Sequence, residues 1–329
     1  MLEKKTIHHI FFKFFWIVVL LVVFSSAIFA TPQDAGDIPD HVTLTWAGDP
    51  QTTQTITWRS NVTIVSGLVQ YGEAIAGEAF PGNSITVAAA VAPLSTNLGD
   101  MNIHSVTLTG LKPGTRYLYR VGNESGWSEP SAFTTPAVNN SGFKFLVFGD
   151  SQSINYDVWR ITLHQAYQAN PEAVFFINVG DLVDVGQDYA QWDAWFAAIQ
   201  GVSDIIPIMP LTGNHEAYTP QRQFSMPLFF TAQFKLPSNG PDGLRGQVYS
   251  FDYKDVHFIM LDSQENEEER FVPAMLERQK IWLEKDLAAT DKKWKVVFIH
   301  RPPYNNKATD DGNNIRRTFV PILDKYHAD

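Results

Sequence analysis

Cysteine is absent from all 329 residues. The chain therefore folds without disulfides, owes nothing to an oxidising compartment, and offers no thiolate to a metal. An excess of positive charge is missing too: 25 Lys and Arg face 35 Asp and Glu, for a formal net charge of −10. Glu3 against Lys4, Lys5 and Lys13 contributes +2 of that, so residues 31–329 carry −12. Such a surface repels a nucleic-acid backbone, and no nucleic-acid-binding surface is expected. A small anionic substrate stays open, because a bound cation inverts the local field. Also lacking is any uninterrupted apolar run of the ~20 residues a membrane span needs. The run Phe14 to Phe24 follows lysines and precedes Ser25, Ser26, Ala27 and Ala30. That is the layout of a secretory signal peptide over residues 1–30. The mature chain is expected outside the cytoplasm, with membrane attachment only through an uncleaved leader.

What is present suffices for packed cores: 44% hydrophobic and 13% aromatic residues. Residues 38–137 alternate in the β manner through HVTLTW, QTITW, GLVQYG, HSVTLTGL and RYLYRVG, with Gly, Pro and Asn at the turns. Short strands in that rhythm predict a small all-β sandwich. TTPAVNNSG, 134–142, reads as a linker. From residue 142 to 329 strand-like runs alternate with helical patterns, which predicts an α/β layer fold. In YAQWDAWFAAI, Trp192, Trp195, Phe196 and Ile199 recur at helix spacing; in PAMLERQKIWLEKDL, Leu276, Leu283 and Leu287 share a face. IRRTFVPILDKYH also reads as a helix, with Pro321 inside it.

Four apolar strands each end in a residue able to bind a metal. KFLVFGD ends at Asp150, VFFINVGD at Asp181, IIPIMPLTGN at Asn214 and WKVVFIH at His300. A carboxylate or amide after one strand is usually a turn former. Four in succession are different, because ligands of α/β folds bind beyond the carboxyl ends of strands. Carboxylate, amide and imidazole without thiolate suit Zn, Mn or Fe. One carboxylate could bridge two ions ~3.5–4 Å apart, a pair suited to phosphoryl transfer to water. His215 would then face the substrate as a proton donor, and Glu216 would stand behind it, holding the ring. Arg301 could meet a phosphate or serve an exposed salt bridge. Asp262 ends another strand and is expected to order the rim. His104, His164 and His257 stand singly beside apolar residues and read as structural.

GDSQ, GDLVD, GNHE and VFIHRPPY resemble the successive blocks of the calcineurin-like metallophosphoesterases. The sandwich in front, QVYSFDYKDVHFIMLDS and RQKIWLEKDL are most similar to the purple acid phosphatase branch. LTGLKPGTRYLYRVG, Leu108 to Gly122, is similar to the tyrosine-corner region of fibronectin type III modules. The resemblance implies a fibronectin III-like sandwich followed by an αββα phosphoesterase domain. It further implies two divalent or trivalent ions, with Asp181 bridging, Asp150 on the first, and Asn214 with His300 on the second. Three departures follow. Purple acid phosphatases carry a tyrosine three residues after the bridging aspartate; here Asp184 offers a carboxylate to a metal, and neither colour nor a preference for ferric iron is expected. Many relatives have histidine two after the first aspartate; here it is Gln152, whose amide oxygen could bind a metal or serve a structural role. A Gly-His-x-His block closes the family's site, whereas this sequence ends at DKYHAD, so it is expected to be incomplete. The expected activity is hydrolysis of a small phosphomonoester. A phosphodiesterase or nucleotide hydrolase is the alternative within the chemistry, and an inactive extracellular adhesion protein the alternative outside it.

Overall fold

The structure is a computed structural model that describes residues 35–123, 126–139, 142–153, 155–304 and 310–328. The leader expected over residues 1–30 lies outside them. The first described half holds β1 (Asp40–Thr45), β2 (Gln54–Asn61), β3 (Leu68–Glu73), β4 (Ile85–Ala88), β5 (Ala90–Thr96), β6 (Gly99–Leu108), β7 (Arg116–Asn123), β8 (Gly126–Trp127) and β9 (Ser131–Thr134). One sheet runs β1-β2-β6-β5; the other runs β4-β3-β7, with β8 and β9 both pairing β7. Alternation sends Tyr117, Tyr119 and Val121 of β7 inward against Leu44, Ile56, Trp58 and Phe133. The Tyr117 hydroxyl accepts the Lys112 N–H at 2.9 Å, as a tyrosine corner requires.

The second half forms two small sheets. Parallel β10 (Lys144–Phe148) and β11 (Ala173–Asn178) make one. In the other, β12 (Tyr249–Tyr253) pairs antiparallel with β13 (Val256–Leu261), which pairs parallel with β14 (Trp294–Ile299). Phe145 and Phe175 of the first sheet meet Phe258 of the second with centroids 5.3 and 5.4 Å apart. The outer faces are covered by helices. α1 (Asp157–Ala169) and α2 (Tyr189–Ile199) bury Trp159, Leu163, Trp192 and Trp195 in the core of the first sheet. The short α3 (Leu228–Gln233) and α4 (Glu265–Glu268) lie in the connections. α5 (Met275–Ala289) and α6 (Asp310–Tyr326) bury Leu283, Ile315 and Phe319 against Ile259 and Leu261. The layers are thus αββα.

One expected strand differs. Residues 206–211 run beside β11 through isolated parallel bridges, Phe176 to Ile208 and Val179 to Leu211. Pro207 and Pro210 have no N–H to donate, which interrupts the ladder. The sandwich is joined to this layer by backbone. Leu44 N–H donates to Ser203 O and Ile208 N–H donates to Leu44 O, each at 2.9 Å. Trp46 and Met101 belong to the larger core. Arg59, 1% exposed, joins Asp40 of the sandwich to Asp193 of α2 at 2.5 and 2.9 Å. Thr31–Asp329 is one compact unit.

Candidate metal centre

Three strand ends, two from the first small sheet and one from the second, converge. One ligand atom from each of Asp150, Asp181 and His300 lies within 4.8 Å of the others. The loops carrying them are laced: Val179 N–H donates to Phe148 O, Asp150 N–H to Gly180 O, and Gln152 N–H to Asp181 O. Both aspartates sit in the left-handed region, with φ of 53° at Asp150 and 52° at Asp181. An L-residue adopts that backbone at a cost, which the surrounding hydrogen bonds offset. Two glycines let the loops touch. A Cβ on Gly180 would lie 2.7 Å from Gly213 N and from His300 Nδ1, and one on Gly213 would lie 2.1 Å from Asp181 Oδ1. No other residue fits either place.

His300 Nδ1–H donates to the Val179 carbonyl at 2.8 Å, leaving Nε2 3.4 Å from Asp181 Oδ2. Burial alone would lower this imidazole, but the Asp181 carboxylate outweighs burial and lifts it to about 9. Burial would raise Asp181 in turn; His300 and His215 outweigh it and hold the carboxyl below its usual range. Gln152 Nε2 donates to Asp181 Oδ2 at 3.2 Å, while its Oε1 is buried without a partner. A buried acceptor with no donor, beside two carboxylates and an imidazole whose free nitrogen faces them, fits a cation.

Asn214 caps a single 3₁₀ turn, His215–Ala217, and its Nδ2 donates to the Tyr218 hydroxyl at 3.1 Å. That leaves the amide oxygen as the atom it has for a cation. The His215 N–H donates to Asp181 Oδ1 at 3.0 Å. Its ring Nδ1 lies 2.7 Å from the Asp184 carbonyl, and Nε2 lies 3.8 Å from Asp181 Oδ2. The imidazole therefore faces the carboxylate group edge-on with one nitrogen fixed. A cavity of about 650 Å³ opens over the three converging residues, lined by Asp150, Gln152, Asp181, His300, Arg301 and Pro302; Asn214 and His215 stand outside its lining.

Two site residues lie differently from expectation, and a third takes the second of its two expected roles. Glu216 does not hold the histidine ring. Its carboxylate accepts the N–H groups of Asp181, Leu182, Val183 and Gly213 at 2.9, 2.8, 3.3 and 2.7 Å. Four converging backbone donors satisfy a buried carboxylate and pin the two loops together. Asp184 lies on the other side of His215, with Oδ1 3.1 Å from Nδ1 and Oδ2 3.1 Å from Arg222 Nη2. It is not one of the three converging residues. Arg301 takes the salt-bridge role, pairing Nη1 and Nη2 with the buried Glu267 carboxylate at 2.9 and 2.7 Å. Asp262, fully buried, accepts from Thr212 Oγ1 and the Gln264 N–H, so it braces the strand end before Asn214.

Residues 143–329 match the family model for calcineurin-like phosphoesterases, and residues 39–135 match the N-terminal domain of purple acid phosphatases. The chain belongs to the calcineurin-like phosphoesterase family. Its relatives there are purple acid phosphatases. It is similar to mouse (Mus musculus) acid phosphatase type 7, with 29% identity over 89% of this chain and 65% of the relative. It is also similar to purple acid phosphatase 23 of Arabidopsis thaliana, with 26% identity over 69% of this chain and 55% of the relative. The chain thus spans less than two thirds of the length of these relatives. Among solved structures, a purple acid phosphatase from yellow lupin (Lupinus luteus) seeds has the same fold. The TM-score is 0.70 at 20% identity, over 89% of this chain and 57% of that one.

Proposed function

We propose that this chain carries the metal-binding and proton-donating residues of a secreted phosphatase that hydrolyses small phosphomonoesters. The observation that carries the reading is the convergence of Asp150, Asp181 and His300 at three strand ends, with the orphaned Gln152 oxygen beside them. In this reading Asp181 would be common to two ions, with Asp150 and Gln152 as the other donors to the first and Asn214 and His300 as donors to the second. Ions bound there, Fe, Zn or Mn by the chemistry of the donors, would supply Lewis acidity toward a phosphoryl oxygen and a water. The protein's own part is positioning and proton transfer. Glu216 holds both ligand loops by their amides. His300 keeps Nε2 on the carboxylate side because Nδ1 is fixed on Val179 O. His215 is fixed at Nδ1 and presents Nε2 to the site, where it passes a proton to the departing oxygen.

The test is hydrolysis of phenyl phosphate together with metal per chain, on protein extended past Asp329 through a Gly-His-x-His block. The expected result is turnover that a chelator removes and added Zn, Mn or Fe restores, with Asn214→Ala losing orders of magnitude in rate. A protein that retains no metal, or turnover that survives chelation, contradicts the reading.

A further inference from the structure

A second cavity, of about 460 Å³, lies between the sandwich and the segment that follows α3. Its lining includes Lys235 and Arg245 and neither Asp nor Glu. In a chain with 35 acidic and 25 basic residues, such a lining goes against the overall charge. It shares no residue with the cavity over Asp150, Asp181 and His300.

The backbone fixes Lys235 there. Phe234 is extended, and both it and Leu236 are buried in the larger core, so the side chain between them points the other way. The Lys235 carbonyl accepts the Thr45 hydroxyl of β1 at 2.6 Å, which pins the segment to the sandwich. Ser105 and Thr107 of β6 also line the cavity, alternating with Val106, which packs on the sandwich core. The Ala47 N–H donates to Thr55 Oγ1 at 3.2 Å, and Thr55 Oγ1 lies 2.9 Å from Thr107 Oγ1. With Thr55 donating, the Thr107 O–H is left for a ligand.

Lys235 is half-buried, and among the described residues its ammonium has neither a hydrogen bond nor an ion pair. Burial holds it below the ordinary lysine range, and no carboxylate lifts it back. A desolvated charge without a counter-ion is costly, and a bound anion relieves that cost. Arg245 has Nη2 on Asp242 at 2.6 Å, an exposed pair that leaves the rest of its planar fork of donors. A point charge beside such a fork suits a dianion with several oxygens better than a single carboxylate.

We infer that this cavity binds a phosphate group, held by Lys235 and Arg245 and oriented by the Thr107 hydroxyl, at a place separate from the metal centre. The inference does not depend on the phosphoesterase reading.

The test uses the extended protein freed of metal by a chelator, so that anion binding at a metal ion does not contribute. Calorimetry with inorganic phosphate is expected to show one equivalent bound. Affinity should fall about tenfold or more in Lys235→Met, the size of a charge-assisted hydrogen bond, and by less in Arg245→Met. Acylation of Lys235 by acetic anhydride, read by peptide mass spectrometry, should slow when phosphate is present, while acylation of the exposed Lys112 is unchanged. Phenylphosphonate bound at least as tightly as phosphate assigns a phosphate carried on an apolar body; weaker binding assigns the free ion. Three results each overturn the inference: neither anion binds, Lys235→Met with unchanged melting binds phosphate as wild type does, or phosphate leaves the acylation of Lys235 unaltered. Should Lys235→Met fail to fold, the acylation of the wild-type protein decides alone.

Discussion

Two histidines of this protein each stand between two aspartates, at opposite ends of the same parallel strand pair. His257 lies near the start of β13 and His300 just past the end of β14. Carboxylates outweigh burial at both, lifting each imidazole to about 9. The geometry separates them. Both nitrogens of His257 are bonded, Nδ1 to Asp252 at 2.6 Å and Nε2 to Asp286 at 2.8 Å, and Ser250 Oγ completes Asp286. That group is closed: an imidazolium with two counter-ions. At His300 one nitrogen is on a backbone carbonyl, and the separations to the carboxylates are 3.4 Å to Asp181 and 3.8 Å to Asp150. Around it lie an unpartnered amide oxygen and two strained backbones. The same two residue types make a structural clamp when every atom is matched. They make a ligand set when atoms are left over.

The sharpest way to break this comparison is to remove one member from each group. Asp181→Asn is expected to lose bound metal and to reduce phenyl phosphate turnover by orders of magnitude, because a cooperative ligand set fails as a unit. Next in size is His215→Ala. Turnover is expected to fall ~10²–10⁴-fold while metal content, read by elemental analysis, stays near wild type. Loss of a metal equivalent would make His215 a ligand instead.

Much of this was legible before the fold was seen. The strand ends at Asp150, Asp181, Asn214 and His300 stand out because an apolar run makes the following polar residue conspicuous. The helix face of Trp192, Trp195 and Phe196 is legible for the same reason of spacing. Glu216 was misread, because a carboxylate that binds backbone amides leaves no trace in residue types; only the folded loops bring Asp181, Leu182, Val183 and Gly213 to it. Asp184 and Arg222 are brought together by a loop closure that has no periodicity. The left-handed backbones at both aspartates were equally hidden, since aspartate tolerates that conformation without announcing it. Segment 206–211 reads as a strand by hydrophobicity, and its two prolines decide otherwise.

Smaller effects sharpen the closed half of the comparison. His257→Gln is expected to lower stability by about 1–2 kcal/mol, since Asp252 is half exposed and solvent screens its share. The effect should depend on pH with a definite sign. The folded imidazole sits above the ordinary value of about 6.5, so its stabilisation is complete below that pH. It is lost as pH rises through about 9, and the melting difference between wild type and His257→Gln should close there. A gap that widens with pH would mean that Lys292, 3.6 Å from Asp252, dominates the group. Smallest is an optical observation: the metal-loaded protein is expected to show no visible charge-transfer band. Tyr189 is buried with its hydroxyl on Gln233, and Asp184 offers no phenolate. A band that disappears in Tyr218→Phe would show that the phenol beside Asn214 had reached the metal.

The central claim, that atoms left over at His300 and matched at His257 separate a ligand set from a clamp, has one direct measurement. It is bound metal per chain in wild type, Asp181→Asn and His257→Gln, each extended past Asp329 through a Gly-His-x-His block, after identical loading and dialysis. The account predicts metal in the wild type, its loss in Asp181→Asn and its full retention in His257→Gln. Metal retained by Asp181→Asn and lost by His257→Gln would contradict it.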